Sequence, residues 1–154
     1  MTSLKLIQLN FETGGYNLLA RVTINGKPAL LKVDTGSPTS VIDSDHLQKF
    51  VTQTELRKNS RKSVASGTSS AYTYVATIDK MEIGSVVIRD YKAIAADLSQ
   101  TNRTFRSMGN PQIDGLLGCD LLKHCQAVIR FDERVLELNA LEEPTEQSEN
   151  LIIE

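Results

Sequence analysis

The stretch Leu30-Leu31-Lys32-Val33-Asp34-Thr35-Gly36-Ser37 decides how the rest of the chain is read. An apolar run ends in a carboxylate, followed by a hydroxyl residue, a glycine and a second hydroxyl residue. A buried strand ending in Asp-Thr-Gly holds an acid at the floor of a cleft. The hydroxyls and amides after it can hydrogen-bond its oxygens and fix its orientation. Asp-Thr-Gly also occurs by chance in roughly one chain in thirty of this length at average residue usage. Because Asp, Thr, Gly and Ser all favour turns, a plain strand ending in a turn is the competing reading.

The segments on either side favour a β domain. Leu4 to Phe11 reads as a first strand, Gly14-Gly15 as a turn, and Tyr16 to Ile24 as a second strand. Asn25-Gly26 is a strong hairpin signal, and it leads back through Ala29 to Val33, the strand that delivers Asp34. Ser40 to Ile42 continues extended. Asp43-Ser44-Asp45 is expected to cap a short helix running through Phe50, since such side chains satisfy free amides at a helix start. With no further ligands near Asp43, Asp45 and His46, no metal is expected there. Ser63–Ala65 and Ala71–Ile78 flank Ser66-Gly67-Thr68-Ser69-Ser70, the pattern of a long hairpin with a small polar tip. Lys80–Ile83, Gly84-Ser85 and Val86–Ala95 form a second hairpin. Residues 97–112 are polar and turn-rich and are predicted to be a surface loop. Asp120 is placed to cap a short helix from Leu121 to His124, and Ala127–Phe131 with Val135–Leu138 makes a last hairpin about Asp132-Glu133. Short segments rich in Val, Ile, Leu and Thr, separated by turns at close intervals, mark an all-β domain.

Composition narrows the class. At 154 residues the chain suffices for one domain with a proper core. A hydrophobic content of 40%, a charged content of 23% and a net charge of −2 argue against a disordered chain, a membrane segment or a nucleic-acid footprint. The densest basic group, Arg57, Lys58, Arg61 and Lys62, has no interleaved aromatics and reads as the solvated face of a strand or loop. Cys119 and Cys125 have neither zinc spacing nor a Cys-x-x-Cys pattern, so two reduced thiols are expected. No secretory-type signal opens the chain. As given it reads as cytoplasmic, although a chain trimmed of an N-terminal anchor would read the same. From Glu142 onward the tail is acidic and is expected to be mobile, yet it ends in Leu151-Ile152-Ile153. No internal repeat is visible.

A second stretch, Pro111-Gln112-Ile113-Asp114-Gly115-Leu116-Leu117-Gly118-Cys119-Asp120-Leu121-Leu122, sharpens the reading. The chain runs from a strand into Asp-Thr-Gly-Ser, through a glycine-bearing hairpin tip, to two leucines and a glycine before a short helix. From about Tyr16 to Leu138 this order resembles the retropepsin-like (retroviral-type) aspartic proteases, in particular their single-lobed bacterial relatives. The resemblance implies an all-β fold: a closed, single-lobe acid-protease β-barrel with a flap hairpin and one or two short helices. Residues 1–141 would form that domain. The acidic tail, 142–154, either joins a dimer interface through Leu151-Ile152-Ile153, with the Leu4–Phe11 strand, or is a frayed end beside an ordinary core strand.

The same resemblance implies roles. Asp34 matches the catalytic aspartate, Thr35 the residue whose hydroxyl crosses the dimer axis, and Gly36 the glycine whose amide faces the carboxylate. Ser37 matches the residue whose hydroxyl bonds the outer carboxylate oxygen. Ser66, Gly67, Thr68 and Ser69 match the flap tip over a bound peptide. Asp114 and Gly115 fall on a loop that forms a substrate-subsite wall, and Leu116, Leu117 and Gly118 match the loop packed beneath the active-site turn. Two departures stand out. Cys119 and Pro38 occupy positions where the retroviral enzymes carry a paired arginine and acid, so that ion pair is lost. The tip is also serine-rich where the retroviral flap is glycine-rich.

Peptide hydrolysis of this type needs no metal or cofactor. One group takes a proton from water while another gives one to the carbonyl oxygen, and two adjoining carboxylates can do both. With one Asp-Thr-Gly and no repeat, a symmetric homodimer is the simplest source of the second carboxylate. The expected partner is otherwise a peptide or protein substrate. Two alternatives carry the same motif: a dimeric peptide-binding module with little or no proteolysis, and a monomeric barrel in which Asp-Thr-Gly is only a turn. A nucleophilic enzyme using His46, His124 and the cysteines is a weaker fourth, because Cys119 and Cys125 flank a short helix as small core residues would.

Overall fold

Apolar side chains alternate along Tyr16–Ile24, and that alternation rolls the chain into a barrel. The computed structural model describes residues 1–51, 57–59 and 73–139. Its strands are Thr2–Lys5 (β1), Ile7–Asn10 (β2), Tyr16–Ile24 (β3), Lys27–Val33 (β4), Val41–Asp43 (β5), Arg57–Asn59 (β6), Thr73–Ile83 (β7), Val86–Ala96 (β8), Gly115–Leu117 (β9), Val128–Arg130 (β10) and Val135–Leu138 (β11). Ser99–Ser107 (α1) precedes β9, and Cys119–His124 (α2) follows it. The main sheet has the order β2-β3-β4-β9-β5-β8-β7-β6. A further pairing, Thr23 opposite Glu82 and Ile24 opposite Met81, joins β3 to β7 and closes a barrel of 6 strands. The all-β barrel implied by the resemblance is therefore the fold observed.

The hairpin at Asn25-Gly26 helps to make that closure. Asn25 and Gly26 take φ values of 49° and 78°, the left-handed pair that a tight hairpin of this twist requires. The Asn25 amide nitrogen donates to Phe50 O, and its Oδ1 accepts from Lys80 N at 3.0 Å. One side chain thus ties the hairpin to β7. Inside the barrel, Ala20, Val22, Ile24, Leu31, Ile78 and Met81 share one buried cluster. Leu19 points the other way, into a second cluster with Val41, Phe105, Ile113 and Leu116 that Ile7, Leu9 and Phe11 cover.

Four local expectations are corrected. Leu4–Phe11 is not one strand, because β1 pairs with β11 while β2 pairs with β3. The chain changes sheets at buried Leu6, whose N–H donates to Arg134 O at 2.8 Å. The runs expected at Ala71–Ile78 and Lys80–Ile83 are not separate: from Thr73, where the described residues resume, they form the single strand β7, Thr73–Ile83. Its buried face shifts phase from Ala76 and Ile78 to Met81 and Ile83, opposite Asp90 at φ 52°. The helix expected from Asp43 through Phe50 is a single 3-10 turn at Leu47–Lys49, and Asp43 is buried rather than a surface cap.

The fourth concerns residues 97–112, read as a loop but containing α1. Leu98 at its N-cap and Asn102 and Phe105 within it are buried, at helical spacing, and the polar Asn102 in that stripe hides it from a hydrophobic-period reading. Asp97 Oδ1 accepts from Ser99 N at 2.8 Å, and hydrogen bonds from Ser99 hold the Asp97 carboxyl below the usual carboxylate range. The Asn102 amide spans three contacts: Nδ2 donates to Asp43 Oδ2 at 2.9 Å and to Ile113 O at 3.0 Å, and Oδ1 accepts from Ile113 N at 2.8 Å. Asn102→Ala would leave buried Asp43 and Ile113 short of partners. It should cost about 2–3 kcal/mol in urea unfolding, and a loss under about 0.5 kcal/mol would contradict this account of the helix.

The strand expected at Ser63–Ala65, the hairpin tip at 66–70 and the acidic tail at 142–154 lie outside the described residues. Among the described residues, no helix is long and apolar enough to cross a membrane.

Candidate active site

Leu31, Lys32 and Val33 of β4 run parallel to Gly115, Leu116 and Leu117 of β9, so the end of β4 lies directly over the second motif. Asp34 N donates to Leu117 O at 3.0 Å, and Ser37 N donates back to Asp34 O at 3.1 Å. Between them, Gly36 N donates to Asp34 Oδ1 at 3.0 Å. The Asp34 side chain is half-buried, whereas Thr35 and Gly36 are exposed at the tip of the turn. A tight turn therefore presents a carboxylate oriented by a backbone amide. Gly36 thus points its amide at the Asp34 carboxylate.

The Ser37 hydroxyl is not aimed there. It donates to Thr39 O at 2.6 Å, and the residue is only 3% exposed. The side chain folds inward and braces the turn from below, so the expected bond from Ser37 to the outer Asp34 oxygen is absent from this chain's own turn.

The junction of β9 and α2 forms the floor. Cys119 N donates to Ser37 O at 2.9 Å and Asp120 N to Pro38 O at 3.1 Å. A Cβ on Gly118 would sit 2.5 Å from Thr39 O and 2.8 Å from Ser37 O. Glycine is thus the residue that lets this floor approach the turn. Leu116 and Leu117 are buried. Gly115 has a packing reason of its own: a Cβ there would lie 2.1 Å from Val41 O on β5.

Asp120 was expected to cap α2, but that helix has Gly118 at its N-cap and no capping side chain. Asp120 Oδ1 instead accepts from Ser40 N and Ser40 Oγ, both at 2.8 Å, while Oδ2 accepts from the Tyr91 hydroxyl. Ser40 Oγ in turn accepts from Gly118 N at 2.8 Å. Burial first, and then the Asp120 charge, push the Tyr91 phenol well above its ordinary value. Sequence reasoning missed this trio because Ser40 and Tyr91 carry no motif. Only the position of Asp120, two residues after Gly118, pointed towards the site.

Asp114 lies apart from Asp34. Its Oδ2 accepts from Leu30 N at 2.9 Å, and Oδ1 lies 2.8 Å from His46 Nδ1 and 3.2 Å from Lys49 Nζ. It precedes Leu117 by three residues along an extended segment, about 10 Å, so the two acids of one chain are not brought together. The Asp43, Asp45 and Asp97 carboxylates gather within 4.8 Å. Both oxygens of Asp43 already accept hydrogen bonds from the protein, however, which leaves this cluster a poor cation cage.

Thr35, Cys119, Leu122, Lys123, Gln126, Ala127 and Ile129 line an open groove of about 480 Å³ beside the turn. Cys119 is exposed and its Sγ donates to Thr35 O at 3.1 Å, a contact of its own where the retroviral enzymes place arginine. Cys125 is buried, and burial pushes its thiol up to about 11. Because that value exceeds the ordinary 9.0, the resulting stability is fully present below pH 9.0 and lost as pH rises through about 11. Under native conditions near neutral pH, a thiol reagent should label Cys119 within minutes and Cys125 only after unfolding. Rapid native labelling of both, read by intact mass, would contradict the assigned burial. His124 is exposed while Cys125 is buried, an arrangement that argues against a Cys-His nucleophile.

A closed six-stranded barrel whose Asp-Thr-Gly turn rests on a strand ending Leu-Leu, followed by Gly118, defines the single-lobed, retropepsin-like aspartic protease class. The family model described as aspartyl protease matches residues 20–121, and the chain belongs to that family. Among solved structures it is similar to a retropepsin-like aspartic protease from Rickettsia conorii, with 19% identity, 90% of this chain and 87% of that one covered, and a TM-score of 0.54. It is also similar to the retroviral protease-like domain of Ddi1 from Leishmania major, with 16% identity, coverage of 81% and 90%, and a TM-score of 0.53. At these identities the likeness is one of fold. None of the curated proteins compared with the chain matches it.

Proposed function

We propose that this protein is an aspartic endopeptidase that acts as a homodimer, with two copies of Asp34 facing each other across a two-fold axis. The observation that carries the reading is the Asp34 carboxylate held by the Gly36 amide on an exposed turn, with one Asp-Thr-Gly in the sequence. Carboxylates a hydrogen bond apart cannot both ionise, so a pair of them retains one proton. The ionised member takes a proton from water, the water oxygen attacks the peptide carbonyl carbon, and the protonated member gives its proton to the carbonyl oxygen. Proton return to the amide nitrogen then releases two shorter peptides. Cleavage is therefore expected at acidic to mildly acidic pH.

In this reading the substrate lies extended across the Asp34 turns, with Ser66, Gly67, Thr68 and Ser69 as the flap over it. Thr35 contacts its counterpart across the axis. Residues 1–141 form the catalytic unit, and 142–154 add to the interface. A peptide-library digest across pH, with and without a statine-type transition-state mimic, tests the function. Products that appear at acidic pH and vanish with the mimic support it. No products at any pH, from a chain that still dimerises, would favour a peptide-binding module.

A further inference from the structure

The active-site turn is fastened to the β9–α2 junction at both ends and in the middle. Asp34 N reaches Leu117 O at one end, Cys119 N and Asp120 N reach Ser37 O and Pro38 O in the middle, and Ser40 Oγ receives Gly118 N at the other end. All of these join the turn to that junction and reach no further. The Asp120 side chain accepts both from the turn, through Ser40, and from a separate wall of the barrel, through Tyr91 on β8.

We propose that Asp120 and Tyr91 are positioning residues, and that the chain Ser40–Asp120–Tyr91 sets the place of the Asp34 carboxylate rather than merely adding stability. The proposal rests on the aspartic-peptidase reading of Asp34. Ser40 is 2% exposed, so its amide and hydroxyl have no water to replace Asp120. An acidic acceptor taking donors from Ser40 N, Ser40 Oγ and Tyr91 holds them more firmly than a neutral one would. Partial burial strengthens the set further. Because the Tyr91 hydroxyl keeps its proton far above its ordinary range, it remains a donor throughout the acidic span in which the proposed dyad works. The tether is thus in place when the catalytic pair needs it, and it reaches Asp34 through the rigid arc of residues 34–40.

The test compares Asp120→Ala, Asp120→Asn and Tyr91→Phe in the full chain, by kcat, KM and pH profile and by amide exchange at Asp34 and Ser37. In Asp120→Ala, kcat should fall about ten- to a hundredfold, the scale set by a misplacement of about an ångström. KM should change little, and the pH optimum should move. Exchange at the two turn amides should quicken about tenfold or more relative to that of Ala20 in β3. Asp120→Asn keeps an acceptor for Ser40 and should return kcat to within about threefold of wild type. If Asp120→Ala does not fold, Tyr91→Phe, which removes one donor, carries the same readouts at smaller amplitude. Variants that melt earlier yet keep kcat, pH profile and turn-amide protection would overturn the proposal. If the wild-type chain cleaves nothing, the peptidase reading fails by itself, and turn-amide exchange alone decides whether the tether exists.

Discussion

Asp34→Asn is expected to abolish cleavage, lowering kcat/KM by about 10³-fold or more, while thermal stability should stay within about 1 kcal/mol of wild type. The asymmetry follows from the geometry. Asparagine keeps an Oδ1 for the Gly36 amide, which sits 3.0 Å from the present carboxylate, and the backbone bonds of the turn do not involve the side chain. What disappears is an ionisable oxygen able to take a proton from water. Fluorogenic peptide assays and melting curves on the same preparation check both halves. A variant that still cleaves at a tenth of the wild-type rate would move the chemistry away from Asp34. One that fails to fold would show that the carboxylate holds the turn together instead.

Gly118→Ala is expected to destroy both stability and activity. The added Cβ would lie 2.5 Å from Thr39 O, 2.6 Å from Thr39 C and 2.8 Å from Ser37 O. All three are backbone atoms, which cannot swing aside as the end of a side chain can. Relief requires the turn to lift off the β9–α2 junction, breaking the contacts from Cys119 N and Asp120 N. The cost should be about 3 kcal/mol or more in urea unfolding. In whatever fraction stays folded, kcat should drop about a hundredfold. Gly15→Ala is the control, because the atom nearest a Cβ there is Thr13 Oγ1 at 3.7 Å. Its stability should stay within about 0.5 kcal/mol of wild type. Equal behaviour of the two variants would refute the close approach.

The parts of this molecule that were legible in its sequence are those set by neighbours. The Asn25-Gly26 hairpin and the apolar strand into Asp34 depend on short-range chemistry, and each lies where the residues implied. The parts that were not depend on partners far along the chain. Leu6 changes sheets because Arg134 O receives its amide, and no local signal in Leu4–Phe11 announces that. Asp120 looks like a helix cap until Ser40 and Tyr91 fold against it. The helix over Ser99–Ser107 is carried by Leu98, Asn102 and Phe105, a core stripe in which a buried amide stands where an apolar residue is expected. In β7 and β8, a shift of phase near Asp79 and Asp90 broke the alternation that reveals a long strand.

Mixing subunits tests the dyad most directly. Wild-type and Asp34→Asn chains are combined at constant total concentration, allowed to exchange, and assayed on one peptide. If each active site takes one carboxylate from each of two chains, activity falls as the square of the wild-type fraction. A linear decline would mean that a single chain cleaves alone, and the shared pair of Asp34 side chains would have to be given up.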